Sequence, residues 1–360
     1  MLLISCSKEM TAEQIQENNG SGIVLVRNRY YYKVQLAGKH TFWFVPEADA
    51  MKDIQFYTNE DKVRKQAVTV YGTGFFVSKD GIIVSHSQIV NPSINTNNVC
   101  QALANQLLYL KQYYSTDLEL YNRRLLLVRD AFQTLNEERH EAIAGLGGNL
   151  KLRVALEQEY SNRKNKLNAM LTEFQQKRDS LSNVLKELEH FNNSEVTVSP
   201  ELQLQVAYYN TATKNFSDWQ SCSLQASNAT SGLAVIALDS KLTPETCHIF
   251  DISSDAGFVS SFFRSKEDDN HLFIVGLKKN HSDLSNFELT VFPERAVSGS
   301  DNLRLMYAGT AVENYNIGSP VLNKYGEVVA VNATGASVNG ENCYGIKIKN
   351  LFQLIKIKYN

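Results

Sequence analysis

Apolar and polar positions along this chain follow two different rhythms. From about residue 21 to 96, β-branched and aromatic residues gather in short runs: G-I-V-L-V-R, Y-Y-Y-K-V-Q-L, T-F-W-F-V, V-T-V-Y-G-T-G-F-F-V and G-I-I-V. Turn signals such as Lys79-Asp80-Gly81 separate them. Short strands at regular spacing predict a sandwich or barrel.

The rhythm then becomes heptad. From about residue 98 to 192 there is no proline, and Leu107, Tyr114, Tyr121, Val128 and Leu135 recur seven apart. Leu118, Leu125 and Phe132 follow three of these at four residues. After A-G-L-G-G-N the pattern resumes with Tyr160, Leu167, Phe174, Leu181 and Leu188, with Leu171 and Leu185 between them. An a/d seam on each side of a Gly-rich turn predicts an antiparallel helical hairpin joined near Gly145 to Asn149. Arms of about 40 residues extend roughly 60 Å. From about residue 194 the strand texture returns, in L-Q-L-Q-V-A-Y-Y, G-L-A-V-I-A-L, H-L-F-I-V-G-L, F-E-L-T-V-F and E-V-V-A-V-N. The same texture on both sides implies helices inserted into one β-domain.

Composition changes this picture little. With 360 residues, 43% hydrophobic, 21% charged and a formal net charge of -2, the chain has ordinary globular chemistry. No basic excess argues for a nucleic-acid partner. No run of 18 or more apolar residues suggests a membrane-spanning helix. At the N-terminus, M-L-L-I-S-C resembles the end of a bacterial lipoprotein signal, with Cys6 as the lipidated residue. C-S-K-E resembles the tag of surface-exported lipoproteins. On that reading the protein is lipid-anchored in the bacterial cell envelope, at the outer membrane or in the periplasm, and Cys6 is its membrane contact. The other reading is a buried or free N-terminal cysteine. Cys100, Cys222, Cys247 and Cys343 have no metal-ligand spacing. They either form two disulfides, in any of three connectivities, or stand as four small buried thiols. No cofactor motif occurs: Gly72 and Gly74 precede a strand rather than a helix, so they are not a phosphate loop.

Three stretches together resemble the HtrA/Deg type of trypsin-like serine protease. G-T-G-F-F-V-S-K-D-G-I-I-V-S (72–85) resembles the segment that leads into the catalytic histidine. S-G-L-A-V-I-A-L (231–238) resembles S-D-L-A-V-L-K-V, whose aspartate orients that histidine. Y-N-I-G-S-P-V-L-N-K-Y-G-E-V-V-A-V-N (315–332) resembles the stretch that carries the nucleophile, and Y-G-I-K-I-K-N-L resembles the end of the protease domain. The resemblance implies a mainly β fold of two six-stranded antiparallel β-barrels, with the helical hairpin inserted in the first. The expected boundaries are a lipoprotein-like N-terminus and tether over 1–20, the first barrel over 21–96 and 194–240, the hairpin over 97–193, and the second barrel over 241–360.

Carried across residue by residue, the catalytic positions are degenerate. Gln88 stands at the base, Gly232 at the orienting aspartate and Ile317 at the nucleophile, while Tyr315 replaces a glycine of the oxyanion hole. Amide, hydrogen and sec-butyl side chains cannot supply the base, carboxylate and hydroxyl that the triad requires. The expected function is that of a catalytically inactive homologue, a pseudoprotease. It binds a protein or peptide partner through the degenerate cleft or the helical hairpin. The alternative is an active serine endopeptidase with a rearranged site built from His86 and Ser319, each two residues from the usual place.

Overall fold

The computed structural model describes residues 9–36, 40–46, 54–189, 196–252, 271–279, 287–308, 314–334, 343–352 and 354. Cys6 lies outside them. The N-terminal segment expected as a tether instead contains helix α1 (Ala12–Asn19), started by a capping box in which Thr11 and Gln14 satisfy each other's backbone N–H. Only Ile15 of this helix is apolar and internal to it, yet that residue is fully buried in the main core. The reason is tertiary: α1 lies on the second sheet, where Gln16 donates to the Leu289 carbonyl at 3.2 Å.

The first β-block comprises β1 (Ile23–Leu36), β2 (His40–Phe44), β3 (Val68–Phe76), β4 (Ile82–His86), β5 (Val196–Asn210), β6 (Asn215–Phe216), β7 (Gln220–Asn228) and β8 (Leu233–Leu238). Neighbours run β1-β3-β4-β8-β7-β5, and β5 pairs back onto β1, which closes a six-stranded antiparallel barrel. Closure leaves no open edge among these strands. Two runs read from sequence as separate strands, G-I-V-L-V-R and Y-Y-Y-K-V-Q-L, are one strand, β1. Asn28 between them is fully buried and donates to the Ile89 carbonyl at 2.9 Å instead of turning the chain, and β5 stays in register with β1 from Val24↔Tyr208 to Leu36↔Val196. The far half of this ribbon projects beyond the barrel and pairs with β2, while a short helix, α2 (Glu60–Lys65), packs beside it. Tyr32, Val34, Leu36 and Phe44 form a separate small core there with Val99 and Leu103.

That small core seats the hairpin. A four-residue helix, α3 (Ser87–Val90), follows β4 and leads into α4 (Thr96–Gly145), which returns as α5 (Leu150–Glu189). Asn95 caps α4 by accepting from the N–H of Asn97 at 3.0 Å. The seam follows the heptads: Leu125, Val128, Leu135 and Tyr160 are buried, while Leu118, Phe132, Leu167, Phe174 and Leu181 are half-buried. Two helices cover only one side of each seam residue, so few become fully buried. Pairs Lys111–Glu189, Arg163–Glu138 and Arg139–Glu157 run along the hairpin in antiparallel register.

The second β-block is a six-stranded antiparallel sheet of β9 (His271–Lys279), β10 (Phe287–Arg295), β11 (Arg304–Tyr307), β12 (Pro320–Asn323), β13 (Val328–Asn332) and β14 (Cys343–Lys347). Its order is β10-β9-β12-β13-β14-β11, and its two end strands meet at one bridge, Ala296↔Tyr307. Both β-blocks contribute to one apolar cluster, which joins Phe75, Val84 and Leu233 to Val275, Leu322 and Val331. The disulfide reading is corrected here: Cys100, Cys222, Cys247 and Cys343 are free thiols, the last three buried. Burial pushes the Cys222 thiol up to about 12 and that of Cys247 up to about 11, so neither is a reactive thiolate at neutral pH.

Candidate functional site

The site begins where β4 ends. His86 is the N-cap of α3, and its ring Nδ1 accepts the backbone N–H of Gln88 at 3.2 Å. An acceptor at Nδ1 places the proton on Nε2. Only 8% of the residue is exposed, and desolvation pushes its pKa down to about 4, which keeps the ring neutral at physiological pH. The ring lies against Gly232, at the start of β8, whose φ of +75° suits glycine. A triad histidine needs the opposite arrangement, with Nδ1–H donating to a carboxylate and a lone pair on Nε2 facing the nucleophile. Gln88, two residues further on, has an exposed side chain.

The loop before β12 reaches across from the second sheet. Thr73 of β3 grips it twice: its N–H donates to the Ile317 carbonyl at 2.9 Å and its hydroxyl to the Tyr315 carbonyl at 2.7 Å. Asn316 grips it from the other side. Its side chain accepts from the Leu277 N–H of β9 and donates to the Leu277 carbonyl at 2.9 Å. Asn332 of β13 donates to the Asn316 carbonyl at 2.8 Å and receives the hydroxyl of buried Tyr307. With every member of this network bonded, the loop is held rigidly.

Within that loop Ile317 is 7% exposed and belongs to the apolar cluster of the first barrel, beside Ile89 and Val90. Its N–H donates to the Asn314 carbonyl at 3.2 Å. A peptide N–H engaged in this way does not point at a developing oxyanion. Gly318 follows with φ +95°, and a side chain there would strike the Thr73 carbonyl and the Ser85 hydroxyl. Ser319 is fully buried; its hydroxyl has no hydrogen-bond partner and faces Gly276 of β9. No hydrogen bond therefore joins Ser319 to His86.

A pocket of about 780 Å³ opens between the two β-blocks at this place. His86, Gln88 and Ile317 line it, so the fold does bring two of the three triad positions to one cavity. Gly232 stands behind the His86 ring, and Ser319 is not part of the lining. Sequence reasoning missed most of the walls, Tyr30, Val70, Tyr71 and Pro92, while Tyr315, singled out for the oxyanion hole, also lines the pocket. Tyr71 continues outward as a row of rings, with Phe287 at 6.2 Å and Trp219 at 6.4 Å, and Arg27 sits 4.0 Å over Trp219. The alternation of Tyr71 with Val70 in V-T-V-Y-G-T-G was the available signal, and it reads equally well as ordinary strand. Thr73 and Asn316 were inside the quoted motifs without an assigned role. Among the described residues no group of three or more His, Cys, Asp or Glu side chains is placed to hold a metal ion.

A closed antiparallel barrel, a second six-stranded antiparallel sheet and a cleft beside them lined by Gln88 and Ile317 define a trypsin-like fold. The chain resembles solved structures of that class. A serine endoprotease from Yersinia pestis matches at 10% identity over 98% of this chain and 67% of its own, with a TM-score of 0.42. Deg5 matches at 9% identity over 94% and 89%, with a TM-score of 0.38. The fold assignment rests on the strand topology and not on these scores. No family model and no curated protein matches the sequence.

Proposed function

We propose that this protein is a non-catalytic trypsin-like module that binds a protein or peptide partner in the cleft between its β-blocks. On this reading the second sheet is the second barrel, closed across the Ala296–Tyr307 bridge. The observation that carries the proposal is the state of residue 317. The side chain at the nucleophile position is apolar and packed into the barrel core, and its N–H is engaged by the Asn314 carbonyl. The neutral, Nε2-protonated state of His86 supports it from the side of the base. What remains is a largely apolar pocket with aromatic walls and a few polar groups, which is the usual composition of a binding site. An envelope location with a lipid on Cys6 belongs to the same proposal and rests on the L-I-S-C match alone.

The test is chemical. A fluorophosphonate probe leaves the protein unlabelled across the neutral pH range, while a casein-derived peptide mixture binds and the pocket variant Val70→Glu binds it less. Labelling that disappears in Ser319→Ala would overturn the proposal and restore the rearranged protease.

A further inference from the structure

We infer that the tip of the helical hairpin is a contact site for an anionic lipid surface. The tip joins α4 to α5, and three of its large apolar side chains are largely in water: Leu150 at 73%, Leu152 at 55% and Val154 at 64% exposure. They crowd into one helical turn. Nothing in the hairpin needs them, because closure is completed below the tip by buried Leu135 and Tyr160 and by the Arg139–Glu157 pair, with bonds of 2.9 and 2.8 Å. The connecting loop is also open: a side chain on Gly145, Gly147 or Gly148 would meet nothing within 4 Å.

Charge selects the partner. Between Glu141 and Glu157 there is no acidic residue, while Lys151 and Arg153 alternate with the exposed apolar side chains. Among the described residues neither cation is within 4.0 Å of a carboxylate, although Arg153 lies close enough to Glu157 to help hold its carboxyl below the usual range. Apolar wedges flanked by cations suit the boundary between acyl chains and anionic headgroups. Size argues the same way. A convex tip with three exposed apolar side chains is far smaller than the roughly 800 Å² that each partner contributes to a stable protein complex. The α5 arm places this tip about 60 Å from the barrel, so contact would leave the cleft unobstructed.

The experiment uses the full chain with Cys6→Ser, so that no covalent lipid contributes. Co-sedimentation is measured with phosphatidylcholine vesicles and with vesicles containing about one third phosphatidylglycerol, at low salt. The protein sediments with the anionic vesicles only. Lys151→Gln with Arg153→Gln lowers the partition coefficient by roughly thirtyfold, two contributions of about 1 kcal/mol each. Leu150→Ser with Leu152→Ser abolishes sedimentation while helix content by circular dichroism stays unchanged. Sedimentation with neither vesicle, or undiminished sedimentation of the double leucine variant, overturns the inference. So does self-association in light scattering that depends on the two leucines without vesicle binding, which would assign the tip to protein contact.

Discussion

A Cβ built on Gly232 would lie 2.6 Å from Nε2 of His86, so the imidazole occupies the volume in which an aspartate at position 232 would stand. The two residues are complementary: the ring needs the missing side chain, and the missing side chain leaves room for the ring. Gly232→Asp should therefore not rebuild any part of a triad. It forces a clash at a position whose φ of +75° already disfavours a side chain, and each effect costs about 1–3 kcal/mol. Thermal unfolding should show a clear fall in Tm. Adding His86→Ala should recover part of it, because contacting residues are not additive. Simple additivity of the two losses would mean that the ring and the aspartate do not compete for space.

His86 also makes stability depend on pH. Its folded pKa of about 4 lies below the unfolded value near 6.5, so the unfolded chain binds more protons between these two pH values. The contribution is complete above pH 6.5 and is lost as pH falls toward 4, by roughly 3 kcal/mol at most. Protonation would also turn Nδ1 from acceptor into donor and remove the cap of α3. Half-buried His248 has its pKa pushed down by desolvation as well, so it adds a slope of the same sign. Denaturant titrations across this window should therefore flatten in His86→Asn, which keeps a capping oxygen but does not titrate, and should not become level. An unchanged slope would show that His86 takes up its proton at the same pH in both states.

The hairpin has its own weak point. Of the seam residues read from the heptads, Leu125 is buried to 4% exposure, midway along α4 and one turn from Val128. Leu125→Asp places a charge in that apolar layer with no partner, which is the costly case. Circular dichroism should show a large loss of helix, while the barrel, with its separate core, keeps its β-signal. Leu126→Asp, at a residue 57% exposed, is the control and should change little. Equal helix content in the two variants would place the seam on another face.

How far the sequence could be read depended on the range of the interactions. The hairpin was legible because heptads and the absence of proline are local properties, and its turn fell at the predicted glycines. The three motif blocks carried the trypsin-like fold for the same reason. Helix α1 was not legible: A-E-Q-I-Q-E-N-N offers one large apolar residue, and its stability comes from Leu289 and the second sheet. The tautomer of His86 was not legible either, because it follows from a backbone N–H two residues away and a glycine on β8. The resemblance set Ile317 at the position of the family's nucleophile. That it had become part of the barrel core depended on Thr73 and Asn316 holding its loop against Ile89.

That core role gives the last prediction. Ile317→Ser puts a hydroxyl where the resemblance sets the nucleophile, but it removes a buried branched side chain and leaves a polar group in the apolar cluster of the first barrel. Truncating a buried isoleucine this far costs about 2–5 kcal/mol, so the variant should unfold at lower temperature and lower denaturant concentration. The hydroxyl also stays unactivated. No imidazole with a free Nε2 lone pair faces it, and the residue's own N–H is bonded to the Asn314 carbonyl. A fluorophosphonate probe should leave Ile317→Ser unlabelled at neutral pH. Ile317→Val, which loses one methylene, should lose only about 0.5–1.5 kcal/mol and serves as the packing control. If Ile317→Ser is labelled while its stability is unchanged, the side chain is not a core residue, and the site is a protease lacking only its nucleophile.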